Sequence, residues 1–258
     1  MSQLVPGFDS VRVLNIDILR IREQQLLATL DSGVLFTPNL DHLCQLQHDA
    51  EFYDCYQKAE WVICDSRVLF FSSRLFRLGI TESISGSSFF THYYMYHQDD
   101  PDCRIFLLGA AEGVAQEAMR RINDRVGREI VVGAHSPSYG FENNADECKQ
   151  ICEIINQSQA NVVLVGVGAP KQEKWIMANK ESMPGVKLWL ALGATIDFEA
   201  GHVKRAPRIF QKLALEWLYR MYCEPRRMFK RYICNDLAFF VHLFKFKIGT
   251  YRNPFSDC

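Results

Sequence analysis

The stretch Asn161-Val-Val-Leu-Val-Gly-Val-Gly-Ala-Pro-Lys-Gln-Glu173 decides the fold, because a buried-strand pattern stops at glycines and runs into polar residues that open a helix. Val162 to Val165 is apolar and β-branched without alternation, the pattern of a strand covered on both faces in a parallel sheet. Gly166 and Gly168 remove side chains where the chain must turn and a ligand can approach closely. Pro170 suits the start of a helix over Lys171 to Met183, whose free N–H groups would attract an anion such as a phosphate. An ordinary strand-to-helix turn explains this segment equally well when it is taken alone.

Outward from this stretch, strand-like runs recur at Val11 to Ile16, Val34 to Thr37, Trp61 to Cys64, Ile105 to Leu108, Ile130 to Gly133, Val162 to Gly166 and Val186 to Leu192. Helix-like segments separate them, including Asp41 to Ala59, Val114 to Val126 and Ala145 to Ser158, the last with Asn144 as its cap. This alternation predicts an α/β fold: a Rossmann-like, mostly parallel sheet with helices on both faces. After Gly201 the pattern turns helical, aromatic and basic. We therefore expect one domain over residues 1–200 and a helical, basic C-terminal appendage over 201–258.

The chain has 258 residues, 48% of them hydrophobic and 23% charged, which is ordinary globular composition. Its net charge of -1 hides an asymmetry. Residues 201–258 carry twelve Lys/Arg and four Asp/Glu, a balance of +8, against seventeen and twenty-six, a balance of -9, in residues 1–200. No N-terminal signal pattern and no long uncharged apolar stretch is present, so a cytoplasmic protein without a membrane span is expected. Nine scattered cysteines without a CxxC pattern read as reduced, structural thiols, and Cys148 with Cys152 lacks the second ligand pair that zinc requires.

Ligands in open α/β sheets bind beyond the carboxyl ends of the strands, which makes the residues after each run the candidates. Asp65 directly follows Trp61 to Cys64 and can act as a general base, or else cap the helix that starts at Ser66. Thr37 and Asn39 flank Pro38 with short hydrogen-bonding groups that turn chemistry alone would also explain. Gly109 to Gly113 lacks the GxGxxG spacing, so an NAD oxidoreductase is disfavoured, and Gly109 is either a ligand approach or a close strand–helix contact. In Ala191 to Arg208, Asp197 and Glu199 have the chemistry to bind sugar hydroxyls while Arg205 and Arg208 have that to meet phosphate; Asp197 alternatively fixes its own loop. The basic segment with Arg220, Arg226 and Arg227 fits a solvated helix face, a nucleic-acid patch or a membrane-surface element that binds diphosphate. The phenylalanines from Phe239 to Phe246, set among Lys245 and Lys247, suit a bilayer interface, or packing onto the main domain.

These residues together resemble the WecG/TagA/CpsF family of bacterial glycosyltransferases, family 26. The resemblance runs through Gly166 to Glu173, Leu192 to Gly201, Arg205-Ala-Pro207, Glu216 to Arg220, Glu224 to Arg227 and Lys230-Arg-Tyr232, and more weakly through Thr37-Pro-Asn39, Asp65 and Phe106 to Ala110. It implies inverting, metal-independent transfer of a sugar from a UDP-sugar to a polyprenyl-diphosphate-linked saccharide at the cytoplasmic membrane face. No cofactor is implied, since the UDP-sugar is a substrate, and nucleic acid is not an expected partner, whereas a homo-oligomer is compatible. Asp65 then looks like the base, Thr37 and Gln172 look like active-site contacts, and Pro170, Lys171 and Glu173 complete the donor motif. The C-terminal arginines look like elements that close over the diphosphates, on an appendage that docks peripherally on the membrane. Two departures from the family pattern stand out. Ser66 replaces the glycine usual after the base, and Ser83 stands where many members carry an arginine before the Thr/Ser-Gly-Ser motif.

Overall fold

The structure is a computed structural model and describes residues 3–203 and 236–256. Two strands, β1 (Ser10–Val13) and β2 (Ile16–Leu19), pair antiparallel with Ser10 opposite Leu19. The expected single strand from Val11 to Ile16 is thus a hairpin outside the main sheet. The cause is local: Leu14 adopts a positive φ of 55°, which reverses the chain. Buried Asn15 fixes the turn, donating to the Leu46 carbonyl at 2.6 Å and accepting from Gln47 Nε2 at 2.9 Å.

The main sheet contains β3 (Gly33–Phe36), β4 (Trp61–Val62), β5 (Ile105–Gly109), β6 (Val131–His135), β7 (Val162–Gly166) and β8 (Leu188–Ala191). All pairings are parallel, in the order β4-β3-β8-β7-β5-β6. The central strands are apolar on both faces, as expected for strands covered twice. Val34, Phe36, Phe106, Leu108, Val163 and Val165 enter one core, and Leu35, Ile105, Leu107 and Leu164 enter the other. That period of two is the pleat itself.

Helices sort onto the same two faces. On the first lie α2 (Leu40–Gln45), α3 (Ala50–Lys58), α4 (Arg67–Leu75), α7 (Ala145–Ser158) and α8 (Lys171–Asn179). On the second lie α1 (Glu23–Thr29), α5 (Gly86–Tyr96), α6 (Val114–Val126) and α9 (Thr195–Glu199). The helix expected over Asp41 to Ala59 is broken in two, because Asn39 caps α2 and Asp49 caps α3 by accepting from Phe52 N at 2.9 Å. Both α6 and α7 occupy their expected spans, and Asn144 caps α7 through two backbone N–H groups.

Helix α10 (Asp236–Lys247) packs on α2, with Phe239 and Leu243 fully buried in the first core. Each such side chain contributes roughly 1.5–3 kcal/mol. Beyond it, Tyr251 Oη donates to Gln47 Oε1 at 2.6 Å and Asn253 Nδ2 donates to Tyr53 Oη at 3.1 Å. Phe239 therefore packs onto the main domain, whereas Phe240 and Phe244 are exposed. Cys44, Cys55, Cys64, Cys103, Cys148 and Cys152 are free thiols, all buried. Among the described residues no helix is long and apolar enough to cross a membrane.

Candidate active site

Neighbouring strands send their following helices to opposite faces: α8 after β7 to one, α6 after β5 and α9 after β8 to the other. Their loops part at the carboxyl ends, and a crevice at that rim is where open α/β sheets hold ligands. Glycine is required there by the backbone itself. A Cβ on Gly109, whose φ is +136°, would lie 2.5 Å from the Gly166 carbonyl oxygen, and one on Gly166 would lie 2.6 Å from that of Gly193. The close contact at Gly109 is thus with the end of a neighbouring strand and not with a helix, and the ends of β5, β7 and β8 interlock through bare backbone.

Gln172 ties this half of the rim together. Its Oε1 accepts from Gly168 N and from Gly193 N, both at 3.2 Å, so one side chain staples the loop after β7 to the loop after β8. Its own N–H donates to the Gly168 carbonyl at 3.1 Å. The turn before α8 is therefore closed on itself by groups expected to be offered to an anion. With its amide oxygen so engaged, Nε2 donates to Glu173 Oε1 at 2.9 Å. Glu173 has no exposed surface left for a ligand, and its Oε2 has no hydrogen-bond partner. Burial pushes its carboxyl up to about 7. The expectation that Glu173 contacts substrate is corrected accordingly: it lies beneath the rim, behind Gln172.

Pro170 follows a cis peptide bond and, with Gly168, lines the partly open part of the turn. Lys171 is held outward by Glu142 Oε1 at 2.7 Å, with its ammonium 4.7 Å from the centre of the Tyr139 ring.

The other half of the rim carries Asp65 and Thr37. Buried Thr37 donates from Oγ1 to the Ala191 carbonyl at 3.5 Å, which joins it to the end of β8. Asn39 is the cap of α2, accepting from His42 N at 3.2 Å, so turn chemistry accounts for it. Asp65 is half-buried. Its N–H reaches the Pro38 carbonyl at 3.4 Å, and its Oδ1 accepts from Gly86 N at 3.1 Å, at the start of α5. A helix N-terminus is a favourable neighbour for a carboxylate. Ser66, not Asp65, caps α4, accepting from Leu69 N at 3.2 Å. Asp65 thus lies between the end of β4 and the start of α5.

The two departures are absorbed locally. Ser66 lies in extended backbone that any residue adopts (φ -97°, ψ 121°), so no glycine is needed there. Ser83 Oγ donates to the Asp65 carbonyl at 3.4 Å. The match of the glycosyl transferase WecG/TagA/CpsF family model extends over residues 11–253. The chain belongs to this family. It is a glycosyltransferase of cell-surface polymer synthesis, built on a Rossmann-like sheet.

One residue of the Ala191 to Arg208 segment falls differently in the transferase than its chemistry suggested. Glu199 is buried and accepts from Thr91 Oγ1 at 2.5 Å, Tyr94 Oη at 3.0 Å and Arg125 Nη1 at 2.9 Å, and Arg125 also bonds the Tyr94 hydroxyl closely. It locks α9 to α5 and α6 and does not face a sugar. The backbone carbonyl of Asp197 accepts from His202 N at 3.0 Å and from Val203 N at 3.3 Å. Arg205, Arg208, Arg220, Arg226 and Arg227 lie outside the described residues.

Gly193 and Gly86 were missed as site residues. Both supply backbone N–H groups, and only the Leu192-Gly193 and Ser85-Gly86-Ser87 sequences hinted at them. A cavity of about 420 Å³ lined by Phe8, Asp31, Gly33, Glu60 and Trp61 opens at the opposite end, where β3 and β4 begin. Its polar groups are engaged, Glu60 with Val34 N and Trp61 Nε1 with the Ser32 carbonyl, and it lies far from the rim chemistry.

Proposed function

We propose that this glycosyltransferase moves a sugar from a UDP-sugar to a polyprenyl-diphosphate-linked saccharide with inversion and without a metal ion. The sugar is of the N-acetylmannosamine, derived uronic acid or glucose type. Asp65 is the base: its carboxylate takes the proton of an acceptor hydroxyl as that oxygen attacks the anomeric carbon, and the bond from that carbon to the diphosphate breaks, UDP leaving with the electron pair. The observation that carries this reading is the placement of Asp65. It is half-buried at the carboxyl rim, held by Gly86 N at 3.1 Å, and set beside the Thr37 that joins β3 to β8.

The donor is assigned to the rim where β5, β7 and β8 end, with Gly109 and Gly166 interlocked beneath it and open space beside Gly168 and Gly193 that leaves room for a diphosphate. Charge growing on departing UDP is assigned to the arginines at 205, 208, 220, 226 and 227, which also bring the protein to the inner membrane face as a peripheral protein. UDP release with a lipid-diphosphate acceptor and a panel of UDP-sugars tests the proposal. Asp65→Asn keeps an acceptor for Gly86 N and should lower kcat by roughly 10²–10⁴-fold, with little change in donor KM. Undiminished turnover in Asp65→Asn would remove Asp65 from the reaction.

A further inference from the structure

Helix α4 begins two residues after Asp65 and buries Leu69 in the first core, yet its outer face also carries large apolar side chains. Ser72 and Ser73 are buried, Ser73 Oγ without a hydrogen-bond partner, while Phe71 is 49% exposed and Leu75 79% exposed. A helix that only covered the sheet would turn those apolar side chains inward. The exposed positions 67, 71, 74 and 75 follow helical spacing, so Phe71 and Leu75 share one face with Arg67 and Arg74. Arg74 lies over the Phe70 ring, 5.1 Å from its centre. From residue 66 to residue 80 the chain carries three arginines (Arg67, Arg74 and Arg77) and no Asp or Glu.

The charge decides among occupants. Residues 204–235 carry nine Lys/Arg and two Asp/Glu, a balance of +7, so the charge of this chain's own basic segment does not complement that of α4. An anionic lipid surface is complementary both to the arginines and to the apolar side chains between them. Helix α10 has the same character, with Phe240, Val241, Phe244 and Ile248 exposed beside Lys245 and Lys247, and it covers the same face of the sheet as α4.

We infer that the Phe71–Leu75 face of α4 is a membrane-docking surface that seats the Asp65 side of the site on an anionic bilayer, where a lipid-linked acceptor presents its hydroxyl. This rests on the proposed lipid-linked acceptor and adds to it a second contact, separate from the basic C-terminal segment. Nine helical residues span about 13 Å, so the docked face stays close to the base.

The full chain is tested by flotation with phosphatidylcholine vesicles, with and without phosphatidylglycerol. Phe71→Ser/Leu75→Ser should weaken partition to the anionic vesicles by about tenfold or more, since each side chain withdraws apolar area from water on docking. Its thermal melting should match that of the wild type. Arg74→Gln/Arg77→Gln should lose most of the gain that phosphatidylglycerol gives the wild type. UDP release with a water-soluble, short-prenyl acceptor should be unchanged in Phe71→Ser/Leu75→Ser, while release with acceptor embedded in vesicles falls. Equal flotation of wild type and Phe71→Ser/Leu75→Ser overturns the inference. So does a wild-type oligomer in sedimentation that this variant dissociates without change in flotation, which would place a second copy of the chain on α4. Flotation that depends on Phe71 and Leu75 in a protein that releases no UDP with any acceptor would sink the proposed UDP-sugar reaction and leave the surface standing.

Discussion

Replacing Glu173 by glutamine tests the buried layer under the rim. The wild-type carboxyl has no exposure, accepts one hydrogen bond from Gln172 Nε2 at 2.9 Å and leaves Oε2 without a partner. Burial raises it from 4.5 to about 7. At about 1.4 kcal/mol per unit, that rise corresponds to about 3 kcal/mol. The folded protein holds the proton up to about pH 7, whereas the unfolded chain releases it near its ordinary value, so between these limits the native state binds more protons. Stability from this group is fully present below the unfolded value and is lost as pH rises through the folded one. Glu173→Gln keeps an oxygen for Gln172 and cannot ionise. Its new amide donor adds an offset that does not depend on pH. Urea unfolding of both proteins from about pH 4 to about pH 8 should show the wild type losing about 3 kcal/mol relative to the variant. The neighbouring Cys55 thiol is pushed up to about 12 by burial and stays outside that window. A difference between the two proteins that is constant across the range refutes the reasoning, because it would mean that Glu173 is ionised inside the fold or already neutral when unfolded.

Gly166→Ala should cost about 1–3 kcal/mol, seen as a lower melting temperature, because its Cβ meets the Gly193 carbonyl oxygen at 2.6 Å and neither backbone can yield cheaply. Gln172→Ala leaves the Gly168 and Gly193 N–H groups without their shared acceptor; a loss of about 1–3 kcal/mol in urea unfolding and weaker UDP binding by calorimetry are expected. Glu199→Gln should lower stability by about 2 kcal/mol through its bonds to Arg125, Tyr94 and Thr91, with kcat of the folded enzyme unchanged. A large fall in kcat at full stability would return Glu199 to the reacting groups.

The parallel sheet was legible in the sequence because its signals are local. Unbroken apolar runs mark strands covered on two faces, and Asn144 marks a helix start within its own turn. The hairpin at Ser10–Leu19 was misread because alternation is the same in either pairing, and only the positive φ at Leu14 separates one strand from two. Asp65 was legible as a carboxylate at a strand end, but its partner Gly86 lies 21 residues away. Glu199 was illegible for the same reason at greater range: Thr91, Tyr94 and Arg125, which consume it, come from two other helices. Glu173 misled because a polar residue in the first turn of a helix is ordinarily solvated, and nothing in its neighbours shows that Gln172 turns it inward.

The two halves of the rim differ in what they demand of the sequence. Around the proposed donor crevice the constraint is steric: Gly109 and Gly166 sit against carbonyl oxygens at distances no Cβ can occupy, so these positions tolerate no change of residue without movement of the strands. Around Asp65 the constraint is one of hydrogen bonding, which several side chains can meet. Ser66 occupies extended backbone and supplies the cap of α4, and Ser83 bonds the Asp65 carbonyl, so both departures from the family pattern fall where the backbone accepts them and where a hydroxyl has work to do. An arginine at position 83 would have brought a positive charge beside Asp65. With serine there, Asp65, the proposed base, keeps its helix N-terminus as a favourable neighbour, and under the proposed mechanism neutralising a leaving diphosphate falls to cations elsewhere in the chain, of which residues 204–235 supply nine.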